Sequence, residues 1–124
     1  MPSFETTINN WLSLIGIRVS PHYLTQQLQT HPDYPSLLSI TDTLEQMGIE
    51  HAAIQIEKEQ LPEIPTPFLV HLTGNGGEWV MVRNRDNLDK QFPHFFVRWK
   101  GTVLAAEKTN GWSNTQNEKM LAKE

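Results

Sequence analysis

Phe68-Leu69-Val70-His71-Leu72-Thr73-Gly74-Asn75-Gly76-Gly77-Glu78-Trp79-Val80-Met81-Val82 contains two apolar runs on either side of a glycine-rich turn. Glycine tolerates the positive φ that a tight reversal needs, so the stretch predicts strands over Phe68 to Leu72 and Trp79 to Val82, joined as a hairpin. Working toward the N-terminus, Leu61 and Ile64 sit in an acidic connector broken by proline, too short for an independent helix. Before it, His51 to Ile56 predicts a short strand in which Ile54 and Ile56 alternate with polar positions. Toward the C-terminus, Phe95 to Trp99 leads through Lys100-Gly101 into Thr102 to Ala106, which predicts a further strand pair.

The first half reads differently. Ile8, Trp11, Leu12 and Ile15 recur at helical spacing, with Thr6 or Thr7 as the expected cap and Gly16 as the stop. Ser20 followed by Pro21 predicts the start of a second helix, whose apolar stripe is Tyr23, Leu24 and Leu28. The segment Thr30-His31-Pro32-Asp33-Tyr34-Pro35 is stiffened by its two prolines. Ser36 caps a third helix carrying Leu37, Ile40, Leu44 and Met47, closed by Gly48. Three helices followed by an antiparallel sheet predict an α+β domain, with the helices packed on the sheet. Residues 1 to 109 are expected to form it, and the polar stretch 110 to 124 to be a tail or linker, with a short helix at Glu118 to Lys123 as one possibility.

A chain of 124 residues is about one domain in size, and its formal charge is −4. With no basic block there is no electrostatic footprint for nucleic acid. No apolar run approaches the roughly 20 residues that span a bilayer, and no signal-peptide layout opens the chain. The expectation is a soluble, cytoplasmic chain, joined to a membrane only through a fused domain. The sequence contains no cysteine. That removes disulfides, thiolate metal sites and cysteine catalysis together. No phosphate loop, metalloprotease helix or cofactor motif is present, and neither a cofactor nor a metal is expected.

The run Ser36-Leu37-Leu38-Ser39-Ile40, the later Met47-Gly48-Ile49, and Ile64-Pro65-Thr66-Pro67 before the hairpin together resemble the bacteriocin-processing, double-glycine leader peptidase family. These are papain-like cysteine peptidases that form the N-terminal domains of peptide exporters. The resemblance covers roughly residues 6 to 107. It extends to domains fused to bacterial membrane proteins, including disulfide-forming enzymes similar to vitamin K epoxide reductase. It implies a papain-like fold, a cysteine at the start of the first helix, a histidine opening the strand after the glycine turn, and an acidic or amide residue to orient that histidine. Here the first position is approximated by Thr6 or Thr7, and the second by Glu78. Asp86 and Asp89, in a loop, are the available acids for the third.

The resemblance therefore implies a degenerate member without catalytic residues, binding a peptide or a neighbouring domain of the same polypeptide. By the same analogy its groove is walled by Tyr34, Leu37, Leu38 and Trp79. Two alternatives compete with this reading: a hydrolase using Thr6 or Thr7 with Glu78 or His71, and a purely structural spacer. For the threonines the plainer role is helix capping, and for Glu78 an exposed carboxylate at a strand edge. His31 and Asp33 read as solvated loop residues, as does His22, while His51 and His94 read as surface residues flanking strands. His71 is expected at the edge of a core with a hydrogen-bond partner. Of the four tryptophans, Trp11, Trp79 and Trp99 are expected in packing, whereas Trp112 is either docked on the domain or part of a partner contact.

Overall fold

The computed structural model describes residues 3–74 and 76–107. Trp112, the polar tail and the helix expected within it lie outside the described residues, as does Asn75 of the turn. The chain divides into two compact units, one of residues up to His51 with Ala106 and Glu107, the other Ala52–Ala105.

The first unit holds three helices, α1 (Phe4–Ile15), α2 (Pro21–Gln29) and α3 (Leu37–Gln46), with α1 against α2 and α2 against α3. Each begins at a serine whose hydroxyl accepts a backbone N–H of the first turn, satisfying a donor that the helix leaves open. For α1 that serine is Ser3, not Thr6 or Thr7. Thr6 donates its N–H to Ser3 Oγ at 3.1 Å, and Thr7 is buried one position farther in. Gly16 ends α1 at φ 96°, and its N–H reaches the carbonyls of Leu12 and Ser13. The α3 helix ends at Met47, followed by Gly48 at φ 71°. Ile8, Trp11, Leu12, Leu24, Leu28, Ile40 and Leu44 are almost completely buried, and each contributes about 2 kcal/mol by leaving water. The loop into α3 contains a cis Tyr34-Pro35 bond.

The second unit holds most of a four-stranded sheet of order β1-β4-β2-β3, with β1 (Glu50–Gln55), β2 (Phe68–Leu72), β3 (Glu78–Val82) and β4 (Trp99–Glu107); the start of β1 and the end of β4 are counted with the first unit. The β2–β3 hairpin is antiparallel, and its register runs without a shift from Phe68 opposite Val82 to Leu72 opposite Glu78. Phe68, Val70, Leu72 and Val82 cover one face, where Leu61, Leu88, Phe95, Trp99 and Val103 complete the core. The apolar runs that predicted the hairpin thus supply this core from one face of the strands, while Leu69 is buried on the other.

Three expectations need correction. The connector forms a 3-10 helix, Lys58–Glu63, that buries Leu61. The loop of Asp86 and Asp89 contains the helical turn α4 (Leu88–Gln91), whose Leu88 is buried. Finally, Phe95 to Trp99 is not a strand. Phe95–Arg98 is the helical turn α5, and one strand, β4, runs through Lys100-Gly101, where a hairpin bend was expected. Four-residue spacing in a helical turn lets Phe95 and Trp99 stack at 5.8 Å inside the same core. The β2–β4 register shifts between Val70 and Leu72, and the extra β4 residues there bracket Gly101 at φ 97°.

Candidate functional site

Glu78 opens β3 opposite Leu72, directly after Gly76 and Gly77. Its carboxylate is not an exposed edge group. Arg98 donates from Nη1 to Glu78 Oε1 at 2.9 Å, and the two side chains are only 18% and 25% exposed. Arg98 is itself held by the turn. Its Nε donates to the Thr73 carbonyl at 2.8 Å, and its own carbonyl accepts both the N–H and the hydroxyl of Thr73 at 2.9 Å. One guanidinium donor thus fixes Arg98 to the turn while a second holds the carboxylate.

His71, one residue before Leu72, is half-buried, and its ring packs against Trp79 with centroids 5.0 Å apart. Burial and then the nearby Arg98 charge hold its imidazole below the ordinary histidine value. Gly77 is required beside it, because a Cβ there would lie 2.9 Å from His71 Nε2 at φ 80°. Glu78, His71, Trp79 and Arg98 therefore form one cluster at the hairpin's turn end.

In the first unit, Tyr34, Leu37 and Leu38 lie on the proline loop and the first turn of α3. Leu38 is 50% exposed and Tyr34 37%, while Leu37 is half-buried. Tyr34 is tied to α1: its hydroxyl donates to Glu5 Oε1, and its ring meets Phe4 edge-on at 5.5 Å. Partial burial works to raise the Glu5 pKa, but hydrogen bonds from Tyr34 and others outweigh it and leave the carboxyl below its ordinary value. The same bond raises the Tyr34 hydroxyl, because ionisation would remove the donor. Thr6 Oγ1 accepts from Ser3 Oγ at 2.8 Å.

His31 is not a solvated loop residue. Its side chain is 14% exposed, and its Nε2 meets Asp42 Oδ2 at 2.7 Å. The Asp33 N–H donates to Nδ1 at 3.0 Å, which places the ring proton on Nε2. His51 is half-buried within β1, its Nδ1 2.9 Å from the Ile49 carbonyl. Among the described residues no group of three histidine, aspartate or glutamate side chains is placed to hold a metal, and no helix is long and apolar enough to cross a membrane.

Arg98, Thr73, Asp42 and Glu5 are the participants that the sequence did not mark. Arg98 is 20 residues from Glu78, and Glu5 is 29 from Tyr34, so no local spacing announces either pair.

Helices in one unit and a largely antiparallel sheet in the other define a papain-like α+β domain, and the solved structures agree. The peptidase domain of Streptococcus ComA, a bi-functional ABC transporter involved in quorum sensing, superposes with a TM-score of 0.69 at 16% identity. That likeness covers 86% of this chain and 90% of the other. The Peptidase C39 family profile matches residues 9–91, and the chain belongs to the Peptidase C39 family. None of the curated proteins gives a significant match to the sequence.

Proposed function

We propose that this chain is a peptidase-family domain without hydrolytic activity, which binds a peptide or a neighbouring domain of its own polypeptide. In this reading it serves as the extramembrane N-terminal part of a bacterial membrane transporter or disulfide-forming enzyme. The carrying observation is chemical. A cysteine peptidase works through a thiolate, and the 124 residues contain no cysteine. The expected histidine position supports the same conclusion. Glu78 is engaged by Arg98, and an anionic acceptor cannot supply the imidazolium that stabilises a thiolate. A threonine nucleophile finds little support, since Thr7 is buried and Thr6 Oγ1 is occupied by Ser3. Binding is supported by the exposed apolar surface of Tyr34 and Leu38 in one unit and by half-buried Trp79 in the other.

The test uses peptides ending in a double-glycine leader, incubated with the full chain and followed by mass spectrometry. Wild type and Glu78→Ala are expected to cleave no faster than buffer. Cleavage by wild type that is lost in Glu78→Ala would end the claim of inactivity. In a parallel amide NMR titration, leader peptide or the adjoining domain should move resonances near Leu38 and Trp79. Silence with both ligands would remove the binding claim.

A further inference from the structure

In the order β1-β4-β2-β3, β3 has β2 on one side and, among the described residues, no strand on the other. Its outer edge presents a row of backbone N–H and C=O groups able to receive another strand. Proteins usually blunt such an edge with lysine, proline, a bulge or an inward charge. Here lysine, proline and a bulge are missing. Residues 78–82 contain no lysine, arginine or proline, and the ladder with β2 has no register shift. The one charge in the strand, Glu78, is already tied to Arg98. The opposite edge strand, β1, differs in composition: polar Glu50, His51 and Gln55 flank the exposed Ala52, Ala53 and Ile54, so it offers no aromatic or thioether side chain.

We propose that β3 is a dimerisation edge, pairing antiparallel with β3 of a second copy about a twofold axis at Val80. A twofold interface demands a self-complementary strand, and this register meets that demand. It sets Val80 opposite Val80, Trp79 opposite Met81, and Glu78 opposite Val82, so no two carboxylates face each other. The Trp79–Met81 contact occurs twice and joins a thioether to an aromatic ring. β-Branched and aromatic cross-strand pairs are the favourable kind. One residue beyond each end of the strand, Arg83 would meet Gly77, which has no side chain in the way. A register centred on Glu78 would oppose like charges, and any other centre leaves part of a strand unpaired.

The absence of cysteine makes the test clean. Directly opposed residues in an antiparallel pair lie about 4.5–5.5 Å apart between Cα atoms, inside disulfide range. Val80→Cys should therefore crosslink to its mate under mild oxidation. Met81→Cys on the same strand should not, because its symmetry mate is about 8 Å away. Sedimentation of the full chain should show a monomer–dimer equilibrium for wild type and Met81→Leu. Met81→Lys should raise the dissociation constant at least about tenfold, by placing a charge at the edge. A wild type that stays monomeric at every concentration overturns the proposal. So does a dimer indifferent to Met81→Lys, or equal crosslinking by the two cysteine variants. Should Met81→Lys fail to fold, the cysteine pair still decides. An extended peptide occupying the edge of a monomeric chain would also overturn it, in favour of a different partner.

Discussion

Arg98 Nη1 lies 2.9 Å from Glu78 Oε1, and Arg98 Nε lies 2.8 Å from the Thr73 carbonyl, so one side chain ties the end of α5 to both sides of the β2–β3 turn. The Glu78 carboxylate, expected from the family resemblance at the histidine position, has a fixed ion-pair partner.

Removing that partner should be costly. Arg98→Ala leaves a half-buried carboxylate unpaired and an acceptor on Thr73 unmet, for a loss of about 1–3 kcal/mol. Glu78→Gln keeps an acceptor on the strand and should cost less than about 1 kcal/mol. Arg98→Lys should fall close to Arg98→Ala, because an ammonium cannot reproduce the planar fork. Urea unfolding of the variants measures all three, and equal midpoints for wild type and Arg98→Ala would contradict the assignment.

His71 gives the hairpin a pH dependence whose sign follows from its depressed pKa. A group that holds its proton less firmly when folded makes the unfolded chain bind more protons as pH falls through the ordinary histidine value, about 6.5. Stability therefore declines with falling pH in the window from that value down to the folded one, and is unaffected above it. His71→Gln should flatten this part of the profile. Arg98→Ala, which removes the second cause of the depression, should let His71 titrate at higher pH. Histidine ring NMR across the window follows the titration directly, and an unchanged His71 midpoint in Arg98→Ala would rule out the electrostatic coupling.

Gly101 should be intolerant of any side chain. It sits at φ 97°, and an added Cβ would lie 2.6 Å from the Ile56 carbonyl while crowding Gln55. That backbone cannot retreat easily, since the Ile56 N–H donates to the Gly101 carbonyl at 2.9 Å. Gly101→Ala should cost about 2–4 kcal/mol, combining backbone strain with overpacking. Gly76 is the control: its φ is 84°, but nothing lies within 4 Å of an added Cβ. Gly76→Ala should cost only about 1–2 kcal/mol of conformational strain. Equal losses at the two positions would mean that close approach at Gly101 contributes nothing.

How far the fold could be read depended on how local its causes are. Ser20 was legible as a cap because Pro21 follows it, and Ser36 because it directly precedes the apolar stripe that begins at Leu37. The cap of α1 was misplaced by three or four residues, because Ser3, Thr6 and Thr7 are chemically equivalent candidates and only the position of the first turn selects among them. The β2–β3 hairpin was legible because turn glycines separate two short apolar runs, a local signal that needs no distant partner. Phe95 to Trp99 was misread for the opposite reason. Its aromatic and β-branched residues suit a strand, but stacking Phe95 on Trp99 with centroids 5.8 Å apart requires a helical turn, because a strand would hold them about 13 Å apart.

At the candidate site the same division holds. By itself, the sequence determined that no thiolate exists, because composition needs no coordinates; Glu78 was marked only by the family resemblance, placed after the turn glycines. Only the tertiary structure decided what Glu78 does, by bringing Arg98 to it across 20 residues, just as it brought Asp42 to His31 across 11. An ion pair between distant residues depends on where the backbone carries each charge, and neither side chain announces its partner until the chain has folded around both.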